Sequence, residues 1–423
     1  MIWLMVVVFL LFMLLGVPMA YSAGSAAVVY VLTSGIPLAV IAQRMFVATD
    51  NFSMLAIPLF ILAGDLMNNG GITKAIMQFA RALVGHIRGS LAHVTILANT
   101  MFAAMSGSAN AACACMGSMM IPSMKEEGYD EGFACAVTAS SSILGPIIPP
   151  SIIFVLYGSI TNVPVPSLLI GGIVPGLLIA FSYMIVSYII AKKRGYPVGA
   201  KMAWAERFQA FKTAIPALIA PLIIIGGILS GVFTATEAGA IAALYALIVG
   251  FITKQLTVNK ALAPLVSAAK VTAAILLVTG TAQAFAWVLT SKQIPQKMAA
   301  AIMSFSSNTA TFFIITVIFL LIVGCFIVET ASVPILAPLF APLAAEFGID
   351  PVHFGVIFVL LVSLGALTPP VGSMLFVSSK VGQTPVTTII KSLPPFLIAL
   401  MASLIVLICF PDLITFLPNL INT

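Results

Sequence analysis

Apolar stretches long enough to cross a bilayer recur along the whole chain, and they limit the fold more than any other feature of the sequence. Clear cases are 1–21, 214–231 and 393–410, each near the roughly 20 residues that a helix needs to cross a hydrocarbon core. Of the 423 residues, 61% are hydrophobic and only 7% are charged, too few charges for a soluble surface. The sequence therefore predicts an all-α polytopic membrane protein.

The charged and metal-binding residues argue against several other classes of protein. The net charge is +6, but the basic residues border apolar segments, which is typical of the positive-inside pattern and not of a nucleic-acid surface. The five cysteines form no CxxC pair and the three histidines lack ligand spacing, so we expect neither disulfides nor zinc. No HExxH or GxSxG motif is present, so we expect no enzyme. The first apolar stretch lacks a basic n-region, which favours a retained helix.

The second half of the sequence repeats the first at an offset near 220. Residues 120–130 match 340–350, and 144–150 match 364–370. A single offset explains these separate matches, which indicates an internal repeat. We predict a first repeat over 1–190 and a second over 213–423. The polar segment 191–212 joins them, and we expect it to form a helix along the cytoplasmic interface.

The basic residues predict how the two repeats cross the membrane. We expect the first spans near 2–21 and 24–42, and five crossings in each repeat if the hairpins described below re-enter on one side. An odd number of crossings inverts the second repeat. Of the 18 lysines and arginines, only Arg44, Lys292 and Lys297 then fall opposite the others, so the majority side is cytoplasmic and both termini are periplasmic.

Two Gly-to-Pro-Pro segments interrupt apolar spans at equivalent repeat positions. They are 145–150 and 365–370, and we expect each to break a helix, over about 133–160 and about 352–380. Proline removes a donor and frees carbonyls, and an unwound backbone at membrane depth is tolerated only inside protein or beside a cavity. Such pairs mark ion and substrate sites in transporters. The alternative for each segment is a kinked helix without a ligand.

A hairpin with a polar tip precedes each break. We predict re-entrant hairpins over about 91–120 and about 309–340, with tips at 106–110 (SGSAN) and 329–332 (ETAS). Half-helix N-termini at such tips offer backbone N–H groups to an anion, and hydroxyls and carbonyls there suit sodium. A channel is the competing function, but paired hairpins fit alternating access better.

Several polar residues leave alternatives open. Glu329 at membrane depth is a functional candidate, or else a carboxylate near the outer interface. The serines 140–142 are either binding groups or polar residues that help helices pack. We expect Asp65 at an interfacial helix end, and Glu237 in a capping box with Thr234.

At these residues the chain resembles the large membrane subunit of tripartite ATP-independent periplasmic (TRAP) transporters. The resemblance rests on IPLFILAGDLMNNGGIT (57–73), MSGSANA (105–111), GPIIPPS (145–151) and GALTPPVG (365–372). It implies two inverted repeats, an elevator mechanism in which a transport domain moves, and coupling to two or more sodium ions. It also implies the bacterial inner membrane, a small four-helix membrane subunit and a periplasmic substrate-binding protein that delivers a small organic acid.

The resemblance also implies which residues bind. Sodium site 1 falls on Ser106, Ser108, Asn110, Gly145 and Pro149, sodium site 2 on Glu329, Thr330, Gly365, Thr368 and Pro369, and the substrate contacts on Ser108, Ser141 and Glu329. The chain departs from many members at Ala112, where they have an aspartate. The second tip matches the family's acidic motif only with a one-residue shift at Val328-Glu329.

Local stretches suggest the substrate. Segments 68–86, 191–197 and 415–421 are similar to those of sialic-acid members, so we expect N-acetylneuraminate, with a C4-dicarboxylate or another organic acid as the alternative. An anion channel is less favoured.

Overall fold

The chain is helical throughout the part that the structure describes. The structure is a computed structural model that describes residues 1–305, 308–369 and 372–421. Within these ranges every regular element is a helix, apart from one isolated antiparallel bridge between Arg88 and Val198. The all-α prediction is therefore confirmed. Pro370 and Val371, in the second Gly-to-Pro-Pro segment, lie outside the described residues.

The first part of the chain forms eleven α-helices and a short 3₁₀ turn at Phe52–Leu55. The helices are α1 (Ile2–Leu14), α2 (Met19–Thr33), α3 (Ala39–Thr49), α4 (Ala56–Asn69), α5 (Ile72–Val84), α6 (Ser90–Ser106), α7 (Ala109–Glu126), α8 (Glu131–Ser142), α9 (Ile152–Thr161), α10 (Val165–Gly171) and α11 (Ile173–Arg194).

The second part of the chain forms eleven more within the described ranges. They are α12 (Trp204–Leu229), α13 (Ala235–Ile252), α14 (Val258–Ser291), α15 (Ile294–Phe305), α16 (Thr309–Gly324), α17 (Glu329–Glu346), α18 (Pro351–Leu367), α19 (Ser373–Gly382), α20 (Val386–Ser392), α21 (Pro394–Cys409) and α22 (Asp412–Ile421).

The first two helices differ from the spans expected near 2–21 and 24–42. Helix α1 ends at Leu14, and Gly16 follows with a φ of 79°, a left-handed conformation that glycine adopts at little cost. Pro18 then precedes the first residue of α2 and disfavours helical geometry in the residue before it. The expected spans were therefore wrong, because this Gly–Pro break was read as the interior of a helix.

Segment 191–212 is not one separate helix. Helix α11 ends at Arg194, where Gly195 caps it with a φ of 69°, and 195–203 contain no helix. Helix α12 begins at Trp204, where the Glu206 carboxylate accepts a hydrogen bond from the Ala203 backbone N–H at 2.9 Å. The single linker helix was a wrong prediction, because glycine ends one helix and a local cap starts the next.

The helix order follows the offset found in the sequence. Helices α7 and α17 begin at residues 109 and 329, α8 and α18 at 131 and 351, and α9 and α19 at 152 and 373. These starts differ by 220, 220 and 221 residues. In the first half, α7 and α8 therefore precede the break and α9 follows it, and in the second half α17, α18 and α19 have the same order.

Many helices are apolar enough for a bilayer. In the described residues, five have the length and composition to cross a membrane, a bent pair formed by α20 and α21 could add a sixth, and others are apolar but shorter. Large apolar side chains are exposed on the outer helices, among them Trp3 at 78%, Leu14 at 82% and Ile252 at 75%. Exposed apolar surface of this extent suits hydrocarbon and not water, so the chain is a multi-pass membrane protein.

Two helices form the centre of the molecule. Every residue from Gly132 to Ser142 of α8 and from His353 to Leu367 of α18 is buried. Around them the halves exchange partners, because α9 packs against α17 while α19 packs against α7. We call α6–α9 and α16–α19 the central unit. Helices α1–α5 and α12–α15, in which α4 packs on α13 and α2 on α14, form the frame.

A polar cluster fastens the ends of α7 and α19. The Lys125 ammonium donates a hydrogen bond to the Gly382 carbonyl at 2.7 Å and lies 3.2 Å from the Glu131 carboxylate. The Thr384 hydroxyl donates to the same carboxylate at 3.2 Å. A charge-assisted bond to a backbone carbonyl is among the stronger protein hydrogen bonds, so this cluster joins the two halves of the central unit.

Candidate functional site

The first hairpin turns at the tip expected from the sequence. Helix α6 ends at Ser106, and Gly107 makes the turn with a φ of 59°. Ser108 then caps α7, because its hydroxyl accepts a hydrogen bond from the Ala111 N–H at 3.4 Å. The tip therefore presents a helix N-terminus and small polar side chains.

This tip lies directly on the unwound segment between α8 and α9. A Cβ atom on Gly145 would lie 2.7 Å from the Ser108 carbonyl carbon, and one on Gly107 would lie 2.6 Å from the Pro150 oxygen. Real Cβ contacts are longer, so only glycines permit this approach. Ser106, Ser108 and Gly145 are thus brought together, and Pro149 belongs to the same unwound segment.

Buried oxygen atoms near the tip lack partners. In the described part of the chain, the Ser106 Oγ and the Asn110 Oδ1 are buried without a hydrogen-bond partner. Buried polar atoms are nearly always paired, and hard cations bind hydroxyl and carbonyl oxygens. The donor set at the first tip therefore fits a sodium ion.

Ser141 is anchored on the fully buried helix α8. Its hydroxyl donates to the Val137 carbonyl at 2.7 Å and accepts from the Asn99 Nδ2 at 2.6 Å. The Asn99 Oδ1 and the neighbouring Ser140 Oγ are buried without described partners. Sequence reasoning missed Asn99, although a lone amide within an apolar stretch was a usable signal.

A cavity of about 220 Å³ opens beside the first tip. Ser106 and Ser108 form one wall, and Asp65 of α4 with Ser267 of α14 forms another. The cavity thus lies between the central unit and the frame. Asp65 lies near the end of α4 and lines this cavity, and its interfacial position stays a prediction.

Glu329 at the second tip is buried with one polar contact. Its side chain is in the first turn of α17, the residue is only 5% exposed, and the Ser363 hydroxyl donates to Oε2 at 3.2 Å. Among the described residues, no basic group lies within 4.0 Å of this carboxylate. An unpaired buried carboxylate is costly, so the position suits a bound cation.

Comparison with known proteins identifies the family. Residues 6–413 match the family model described as the tripartite ATP-independent periplasmic transporter, DctM component. The chain belongs to this family. This is a family of transporters. The match confirms the resemblance to TRAP transporters that the sequence motifs indicated.

Two relatives show how close the match is. The chain is 40% identical over 407 residues to the sialic acid TRAP transporter large permease protein SiaM of Vibrio cholerae, covering 96% of this chain and 95% of the relative. It is 38% identical over 380 residues to the C4-dicarboxylate TRAP transporter large permease protein DctM of Pseudomonas aeruginosa, covering 90% and 89%.

A solved structure shares the fold. The crystal structure of the Alcanivorax borkumensis YdaH transporter superposes with a TM-score of 0.69, at 12% identity, over 97% of this chain and 98% of that one. This likeness shows that the two chains share a helical fold.

The residues predicted for the second site of this TRAP permease are less closely joined than those of the first. Gly365 lies against Gly324, at a spacing that leaves no room for a Cβ, and the Thr368 hydroxyl donates to the Leu364 carbonyl of its own helix at 2.8 Å. Among the described hydrogen bonds, none joins Thr330, Thr368 or Pro369 to Glu329.

Proposed function

We propose that this TRAP permease imports a small organic anion by sodium-coupled secondary active transport across the bacterial inner membrane. The observation that carries the proposal is the first tip, where the Ser106 Oγ and the Asn110 Oδ1 are buried without described partners beside the unwound segment at Gly145. Sodium bound there would satisfy these oxygens and hold the tip against the break.

The negative charge of the buried Glu329 carboxylate supports a second sodium site in this proposal. A buried carboxylate with a single hydroxyl donor is stabilised by a nearby cation, and in this proposal Thr330, Gly365, Thr368 and Pro369 would supply hydroxyl and carbonyl oxygens. Two sites in equivalent halves of the chain would couple at least two ions to each transport cycle.

The substrate contacts in this proposal are Ser108, Ser141 and Glu329. The N-terminus of α7 at Ser108 supplies positive potential for a carboxylate. The Ser141 hydroxyl, which donates to the Val137 carbonyl of its own helix in this structure, would turn to donate to the substrate. N-acetylneuraminate is the favoured substrate because of the local sequence similarities and the 40% identity to a relative named for sialic acid. A C4-dicarboxylate is the alternative, since another relative carries that name.

The mechanism proposed is an elevator built from two inverted repeats, 1–190 and 213–423. The recurring helix order and the exchange of α9 and α19 between halves support a central unit that moves as one body against the frame. The basic residues support periplasmic termini. A small four-helix membrane subunit beside the frame and a periplasmic protein that delivers the substrate complete the proposed system.

Uptake into proteoliposomes tests the function. The protein, reconstituted with its small subunit and loaded binding protein, should accumulate labelled N-acetylneuraminate under an inward sodium gradient, and unlabelled succinate should not compete. Accumulation at the same rate with potassium in place of sodium would reject sodium coupling and favour the channel. Competition by succinate would favour the C4-dicarboxylate alternative.

A cross-link tests the elevator. Ala111 and Ser267 line the same cavity from the central unit and from the frame, so a cleavable bifunctional thiol reagent that joins Ala111→Cys to Ser267→Cys should stop uptake until it is cleaved. A control is Ser378→Cys, which faces native Cys135 within the central unit, where the Ser378 hydroxyl donates to the Cys135 carbonyl at 2.9 Å. Uptake that survives the first cross-link would reject relative motion of the two bodies.

A further inference from the structure

A second polar cavity lies far from the first tip. It has a volume of about 390 Å³ and separates α3 and α14 of the frame from α9 and α17 of the central unit. Cavities of this size are within the range that small ligands occupy. Its polar lining residues are Arg44, Asn51, Ser159, Asn162, Gln283 and Thr290.

Arg44 is the charged group of this cavity. Its guanidinium carbon lies 5.1 Å from the centre of the Trp287 ring, a distance at which cation and ring attract. Among the described residues, no carboxylate lies within 4.0 Å of it. The guanidinium is therefore held by an aromatic face while its N–H donors stay available, and its planar fork matches a carboxylate.

Neutral groups around Arg44 add hydrogen-bonding capacity. The Ser159 Oγ is buried without a described partner, and the half-buried Gln283 amide lines the same space. Hydroxyl and amide groups beside a cation suit an organic acid that carries its own hydroxyl or amide groups better than they suit an inorganic ion.

The two cavities occupy different levels of the molecule. Along helix α14, Ser267 and Val271 line the first cavity, whereas Gln283 and Trp287 line the second. Val271 and Gln283 are 12 residues apart, which is roughly 18 Å along a helix. An anion in the second cavity would therefore not touch Ser108.

We propose that the Arg44–Trp287 cavity is an outer binding site where the carboxylate of a small organic acid pairs with Arg44 before the acid reaches the hairpin tips. The site rests on the proposed function, because Arg44 belongs to the minority of basic residues that the inverted topology places on the periplasmic side. An anion arriving from that side meets this cation in a partly enclosed space between frame and central unit.

Trp287 provides a direct test. The chain has three tryptophans, and Trp3 and Trp204 are exposed, so the variant Trp3→Phe/Trp204→Phe leaves Trp287 as the reporter. Titration of this purified variant with N-acetylneuraminate or succinate, without any sodium gradient, should change Trp287 fluorescence with saturation. The methyl ester of the same acid should bind about tenfold more weakly, because it lacks the charge.

Variants at Arg44 decide whether the response is specific. In the reporter background, Arg44→Gln should weaken the binding of the acid about tenfold, and Lys292→Gln should not, because Lys292 lies in a different cavity on the same proposed side. In proteoliposomes, Arg44→Gln should raise the KM about tenfold and leave kcat unchanged. The site would be overturned if the reporter variant bound the acid equally well with and without Arg44→Gln. It would also be overturned if Lys292→Gln weakened binding as much as Arg44→Gln does.

Other outcomes separate this site from the proposed function and from other occupants. Saturable binding at Trp287 without uptake by wild type would reject transport and keep the site. Uptake by wild type, together with an unchanged KM in Arg44→Gln, would reject the site and keep the transport function. A change of Trp287 fluorescence with vesicles containing phosphatidylglycerol, and none with either acid, would assign Arg44 to a lipid phosphate and overturn the proposal.

Discussion

The Ser363 hydroxyl donates a hydrogen bond to the Glu329 carboxylate at 3.2 Å, and both residues are buried. One hydroxyl cannot compensate a buried negative charge. This pair joins the start of α17 to the C-terminal part of α18, so a cation that neutralises Glu329 would also fasten the second tip to the central helix.

Glu329→Gln removes the charge and keeps the shape. We expect the half-saturating sodium concentration for uptake to rise by roughly a hundredfold or more, because loss of one partner of a buried ion pair costs roughly 3–5 kcal/mol. Sodium titration of uptake measures the change. Glu346→Gln, on the exposed end of the same helix, is the control, and a sodium curve for Glu329→Gln that overlays the control would remove Glu329 from the sodium site.

Gly145→Ala tests the contact between the first tip and the break. The added methyl would meet the Ser108 backbone, and overpacking costs about 1–3 kcal/mol, so we expect uptake to fall about tenfold in a protein that still folds. Gly226→Ala is the control, because a Cβ there meets no atom within 4 Å. Normal uptake by Gly145→Ala would mean that the tip does not need this close approach.

Ser108→Ala and Ser141→Ala test the substrate contacts. Each should lower uptake about tenfold, since a hydrogen bond to a charged group contributes roughly 1.5–3 kcal/mol. Initial rates at several substrate concentrations measure the effect. Ser118→Ala, an exposed hydroxyl that donates to its own helix, should behave like wild type, and wild-type rates in both test variants would place the substrate elsewhere.

Lys125→Met tests the cluster that joins α7 to α19. Loss of its bonds to Gly382 and Glu131 should lower the free energy of unfolding by about 1 kcal/mol, a modest amount because the pair is partly solvated. Thermal unfolding in detergent compares it with Lys391→Met, an exposed lysine. If both variants unfold at the same temperature, the cluster does not stabilise the central unit.

Matched cysteines test the inverted repeats. Glu126 and Glu346 end α7 and α17 at positions 220 residues apart, and both are exposed. With the five native cysteines replaced, Glu126→Cys should react with an impermeant maleimide only from the cytoplasmic side, and Glu346→Cys only from the periplasmic side. Labelling of both from one side would show that the halves are parallel.

The sequence predicted the helix breaks better than it predicted the helix ends. Gly107 and the unwound segment after Ser142 were visible because a glycine among small polar residues interrupts one apolar run and a pair of adjacent prolines interrupts the other. The break near Gly16 and the start of α12 at Trp204 depend on local caps, which compete with hydrophobic continuity and are weaker signals.

Within the candidate site, the grouping of the first tip could be predicted directly, because its residues are close in sequence. Ser106, Ser108 and Asn110 share one turn, so their grouping needed no tertiary information. Asp65 and Asn99 reach the site through helix orientation and packing, which a single sequence with long apolar runs does not specify, because every face of such a helix is apolar.

The exchange of α9 and α19 between halves has a consequence for biosynthesis. Helix α7 ends at residue 126 and its partner α19 begins at residue 373, so 247 residues must be added before the two can meet. At about 5–20 residues per second, this takes roughly 12–50 s. During that time the first hairpin, with its buried serines, is already in the membrane without its partner helix, and the insertion machinery or the lipid itself must shelter those polar groups until the second half arrives.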